Sequence, residues 1–187
     1  MPVMFHTLAA ELVLEVLCQV LDVHLDDFED PAAVSPFSRI DWSSAELLRV
    51  CKNWRHLGTR YLYRTVVLRR APQVEALART LTATPDLAAH IRWLRVEGTY
   101  RRPIEVIITA ARHVEFFCMT VRACPDTPST GLVNALSLMN PVRVALTMSP
   151  KEELFNRNHS SLVKALAKQI PRWTRLVSLR RDRDTPR

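Results

Sequence analysis

Glycine is scarce, with three in 187 residues, and that argues against the backbone loops that cradle phosphate groups. No G-x-S-x-G elbow appears, and the six histidines are scattered along the chain. His113 and Cys118 lie five apart, a spacing that puts them on opposite faces of a strand and so does not make a nucleophile with its base. Cys18, Cys51, Cys118 and Cys124 contain no C-x-x-C pair, which speaks against a zinc site or a disulfide framework. No apolar run reaches the length of a membrane span, and the N-terminal apolar stretch carries Glu11 and Glu15 behind no basic leader. The expectation is a soluble intracellular protein, cytoplasmic or nuclear, that is not an enzyme and holds no metal and no cofactor.

What is present is enough hydrophobic sequence, 48% of the residues, to build a core. The length fits one compact domain or a small module on a larger one. Charge is unevenly divided. Residues 1–46 hold nine acids and one base, a net of −8, and residues 47–187 hold ten acids and twenty-five bases, a net of +15. A basic body of this kind attracts an acidic protein or a nucleic acid, or is simply solvated surface; charge alone does not choose.

The stretch "FHTLAAELVLEVLCQVLD" reads as a helix that Thr7 can cap, with Glu11, Glu15, Gln19 and Asp22 on one narrow stripe. Its apolar residues cover more of the circumference than a one-sided surface helix buries. Either the helix has two partners, one the chain's own second helix and the other its body or a separate protein, or it is wholly internal. Residues 23–44 are acidic, interrupted by proline and without a sustained period, and read as a loop. A second helix is expected from Ser43 or Ser44, with Leu47, Val50, Cys51, Trp54 and Leu57 at helical spacing and Gly58 ending it. A strand over Thr65–Leu68 follows.

These residues carry a resemblance. The order L-x-x-E-L-x-L-E-V-L in Leu8 to Leu17, followed by L-L-x-V-C-K-x-W-R-x-L in Leu47 to Leu57, resembles an F-box. The continuation "YLYRTVVLRR" and "EALARTL" is similar to fungal F-box proteins whose body follows the box directly. Ala9 stands where the box usually has proline, and residues 23–44 make the connection between the half-motifs longer than is typical. The resemblance implies a subunit that binds the Skp adaptor of a cullin–RING ubiquitin ligase and recruits a protein substrate. The adaptor-binding residues it implies are Leu8, Ala9, Leu12, Val16, Leu17, Leu48, Val50, Cys51, Trp54 and Leu57, with Trp54 equally readable as a plain core residue.

Beyond the box a pattern recurs. A helix opened by Pro72 and stopped by Pro85 carries Val74, Leu77, Ala78 and Leu81 on one face. "HIRWLRVEG" and "HVEFFCMTV" then match the L-x-x-L-x-L core of a leucine-rich repeat, "NPVRVALT" in part and "RWTRLVSLR" loosely. Helices are expected between them at Ile104 to Arg112, Leu132 to Met139 and Glu152 to Ile170. The predicted architecture is α/β: an N-terminal helical F-box-like module over 1–64 with an acidic insertion at 23–44, followed over 65–187 by a short, irregular leucine-rich-repeat-like array of parallel strands and helices, with an exposed edge at its C-terminal side.

Strand alternation places a candidate substrate surface. If Leu94 and Val96 point into the repeat core, Trp93, Arg95 and Glu97 point to the opposite, concave face. The same register exposes Phe116, Cys118 and Thr120, then Arg143, and brings Trp93 beside Phe116 with Arg95 and Arg143 close by. A one-residue slip would reverse this, and the Phe116-Phe117 pair specifies the second strand weakly. Two functions remain: the ligase adaptor that the resemblance implies, and a basic protein- or nucleic-acid-binding module without a ligase role. The basic residues, mostly arginine, are not interleaved with aromatics as a single-strand platform requires.

Overall fold

The computed structural model describes residues 9–30, 35–39, 44–121, 128–147 and 157–181. Thr7 and Leu8, the expected cap and first apolar residue of the opening helix, lie outside the described residues.

The opening helix, α1, spans Ala10–Leu21. It buries Val13, Leu17 and Leu21, one residue per turn, against Leu48 and the half-buried Trp54, Leu57, Tyr61 and Leu62. The second helical segment differs from expectation. Ser44–Arg49 forms a 3-10 turn, the chain breaks at Val50–Cys51, and helix α3 runs from Lys52 to Arg64, straight through Gly58. Cys51 caps it, its Sγ accepting from the Trp54 N–H at 3.5 Å. Gly58 does not end the helix. It lets α3 approach Leu17 and Leu48, whose side chains a Cβ at this position would strike.

Within 23–44, read as a loop, the described residues hold regular structure: helix α2 spans Leu25–Glu29, and Pro36–Arg39 forms a 3-10 turn. Beyond α3 the chain passes directly into β1, Thr65–Leu68, the strand expected there. Helix α4, Ala71–Ala83, has Pro72 in its first turn, and Gln73 Oε1 accepts from the N–H groups of Arg69 and Arg70. The remaining elements alternate: β2 Trp93–Val96, α5 Arg102–Ala110, β3 Phe116–Thr120, α6 Thr130–Leu136, β4 Arg143–Thr147, α7 Arg157–Gln169 and β5 Ser178–Arg181.

The five strands form one parallel sheet in sequence order β1-β2-β3-β4-β5, as strand–helix–strand connections favour. The register aligns Thr65, Trp93, Phe116, Arg143 and Ser178 across the sheet. The neighbouring row, Leu94, Phe117 and Val144, is buried with Val96 and Met119 beneath α4, α5, α6 and α7. Of the two registers open to the sequence, the structure has the one that turns Leu94 and Val96 toward the helices. Successive helices pack side by side over this face, so each strand–helix unit depends on its neighbours. β5 closes the described sheet, and all four of its residues are exposed.

Gly131 shows how tightly the units stack. A Cβ there would run into the Arg101 carbonyl oxygen and lie 2.7 Å from the Arg101 carbonyl carbon. These are backbone atoms at the start of α5 and cannot swing aside. Gly131→Ala is expected to cost about 2 kcal/mol or more and to lower the melting temperature by roughly 4–8 °C, which a thermal melt will read.

Candidate protein-docking surfaces

The first surface is the outer side of α1. Leu12, Val16 and Val20, successive residues at i, i+4 and i+8, are 57%, 44% and 41% exposed. They are the part of the wide apolar circumference that the chain leaves uncovered. Of the residues that the F-box resemblance implies for adaptor binding, Ala9, Leu12, Val16, Val50 and Cys51 are exposed, and Trp54 and Leu57 are half-buried. Leu17 and Leu48 differ from that expectation. They are core residues, because α1 and α3 meet through them, and a partner cannot reach them in this fold.

The second surface is the sheet face opposite α4 to α7. The expected residues are there, but the face is not open. α2 lies across it, and Phe28, fully buried, sits among Trp93, Phe116, Cys118 and Ala145. The Phe28 ring centroid is 5.1 Å from that of Trp93 and 4.9 Å from that of Phe116 in an edge contact, and the Trp93 and Phe116 rings are 5.7 Å apart. Phe116 and Cys118, expected at the surface, are therefore buried, and the cause is the acidic insertion.

Charged groups fasten the same helix. Arg95, 2% exposed, donates through Nη1 to the Phe28 carbonyl at 2.6 Å and to the Asp27 carbonyl at 3.3 Å, and through Nη2 to the Asp30 carbonyl at 3.0 Å. Its Nε donates to Glu97 Oε1 at 2.7 Å, and Arg69 pairs with the other Glu97 oxygen at 3.2 Å. The guanidinium thus meets the carbonyls at the C-terminal end of α2, where a cation is favoured. Glu29 is held between Arg143, at 2.8 Å, and Arg180, at 2.6 Å. Arg143 also lies 4.7 Å over the Phe116 ring. The pairing of Trp93 with Phe116 and the closeness of Arg143 were legible in the strands; Phe28, Glu29 and Arg180 were not, because nothing local to residues 23–44 ties them to the sheet.

Burial pushes the Cys118 thiol up to about 11, despite the opposing charge of Arg95. It therefore stays protonated at neutral pH, unlike an activated nucleophile. Burial likewise raises Tyr100 to about 12, helped by the charge of Glu97; its hydroxyl donates to the Leu68 carbonyl at 3.2 Å. Both groups are neutral in the fold at pH values where the unfolded chain ionises. Their stabilising effect is complete below the unfolded values and fades as pH rises through the folded ones. Stability is expected to fall between about pH 9 and 12, and Cys118→Ala to flatten the lower part of that fall, by about 3 kcal/mol at most; urea denaturation across this range checks it.

Among the described residues no group of three metal-ligating side chains is assembled and no helix is long and apolar enough to cross a membrane. The fold defines a class: a one-directional α/β array, a five-stranded parallel sheet with a helical pair ahead of it. No family model, curated protein or solved structure matches the chain.

Proposed function

We propose that this chain is a substrate-recruiting subunit of a Skp–cullin–F-box ubiquitin ligase. The N-terminal helices bind the Skp adaptor, the leucine-rich-repeat-like body binds a protein substrate, and the chain itself performs no chemistry. The observation that carries the reading is the bare apolar stripe Leu12, Val16 and Val20 on the back of a helix whose other side is already packed. Three exposed apolar side chains on consecutive turns suit a helix that docks against a second protein. The F-box-like order of residues supports the adaptor as that protein. Co-purification of the full chain with a Skp adaptor tests the reading, and a well-folded chain that captures none removes it.

One feature favours a second reading, a basic module that takes nucleic acid. Lys52, Arg55, His56 and Arg60 from α3 and His90 from the Pro85–His90 turn line a groove with no carboxylate among its described residues. A ligase adaptor with a basic body should bind heparin and oligonucleotides alike, weakening as salt rises. Tight capture of one oligonucleotide sequence over others at physiological ionic strength would instead establish the second reading.

A further inference from the structure

The two faces of the sheet are built from different chemistry. Beneath α4 to α7 the buried strand residues are Leu94, Val96, Phe117, Met119 and Val144, with no charge among them. Beneath α2 they are Phe116, Cys118 and Ala145, with the half-buried Trp93 beside them and Arg95, Arg143 and Arg180 around them. Of the three, Arg95 is buried, and in a permanently buried face a well-packed apolar residue often does as well as a guanidinium group. Aromatic rings with arginines are instead the composition of protein-binding hot spots.

The occupant has the features of a docked peptide. α2 is five residues long, too short to persist alone, and it adds no strand to the sheet. One aromatic anchor, Phe28, fills the aromatic box, the carbonyls around it meet Arg95, and the next residue places a carboxylate between two arginines. The segment 22–30, "DVHLDDFED", carries five carboxylates and sits on the part of the chain that is strongly basic.

We propose that this sheet face is a receptor groove for short acidic segments of a partner protein that carry an aromatic residue followed by a carboxylate, and that α2 is the chain's own occupant, which such a segment displaces. The proposal rests on the reading of the body as a recruiting surface and names the class of segment it recruits. Because α2 is tethered, it competes at an effective concentration in the millimolar range, so an isolated peptide binds the unaltered chain poorly.

The test uses the full chain bearing Glu29→Lys, which sets a cation against Arg143 and Arg180 and leaves the sheet unaltered. The probe is a fluorescent synthetic peptide of residues 22–30. The variant is expected to bind it about tenfold or more tightly than the unaltered chain, with salt-sensitive affinity, and to ignore the same peptide carrying Phe28→Ala. A second readout is Cys118, which α2 covers. With Cys18, Cys51 and Cys124 replaced by serine, its alkylation should run about tenfold or more faster once Glu29→Lys is added. Phe28→Ala serves as a second way of releasing α2. If both variants lose their cooperative melting transition, or both leave Cys118 as protected as before, α2 is a fixed part of the core and the proposal fails. It fails equally if Cys118 opens and the peptide still does not bind. Adaptor capture is measured on the same preparations: its absence with peptide binding intact overturns the ligase reading alone, and adaptor capture without peptide binding overturns the groove alone.

Discussion

Arg95→Ala is expected to cost about 3–5 kcal/mol of folding stability, a fall in melting temperature of roughly 6–20 °C. The side chain is 3% exposed and reaches the Glu97 carboxylate and the carbonyls of Asp27, Phe28 and Asp30. Removing it leaves those carbonyls without their donor in a site water reaches poorly, and each buried unsatisfied group costs about 1–3 kcal/mol. Glu97 keeps Arg69 as a partner, which limits the loss on that side. Arg95→Lys should recover little, because one ammonium cannot span carbonyls and carboxylate as the planar fork does. Arg180→Ala provides the contrast. Its side chain is 66% exposed, so its pair with Glu29 is screened and its loss should cost under about 1 kcal/mol. Urea titrations of the three variants check the ranking, and equal losses for Arg95 and Arg180 would show that the carbonyl contacts contribute nothing.

The strands were legible because their signal is local. Leu94 and Val96 flanking Arg95 state both the element and the face, Phe116–Thr120 states the element but its face only weakly, and once Leu94 points to the helices the row Trp93, Phe116, Arg143 follows from the pleat. Helix α4 was legible for the same reason, bracketed by Pro72 and Pro85. Three features resisted because they depend on residues distant in sequence. Gly58 looks like a helix terminator by local rule, but its role is the close approach of α3 to Leu17 and Leu48. Leu17 and Leu48 lie in the same apolar stretches as Leu12 and Val50, and only the packing of α1 on α3 separates those facing in from those facing out. Phe28 stands alone in an acidic, proline-broken stretch with no periodic partner, and its partners Trp93 and Phe116 lie on the sheet. The concave face therefore read as open, although the strands that form it were placed in the right register.

If the chain is the adaptor-binding subunit proposed above, the double substitution Leu12→Asp with Val16→Asp is expected to weaken capture of the Skp adaptor by roughly 10²–10⁴-fold while leaving the fold intact. The size follows from two apolar side chains that would otherwise be buried at about 1.5–3 kcal/mol each. Carboxylates placed in an apolar contact add a desolvation cost of their own. The fold is spared because both residues face outward, on the side of α1 away from Val13, Leu17 and Leu21, and substitutions at such positions usually change stability by about 0.5 kcal/mol or less. Leu17→Asp is the matched control. It buries a charge between α1 and α3 and should unfold the helical pair, so its loss of capture would say nothing about the outer face. Circular-dichroism melts of each variant, followed by calorimetric titration with purified adaptor, separate the two outcomes. An unchanged melt with capture lost assigns the stripe to the adaptor. An unchanged melt with capture retained removes the apolar stripe of α1 from binding, and the F-box assignment with it, because the other exposed positions of that helix, Glu11, Glu15 and Gln19 among them, are polar or small.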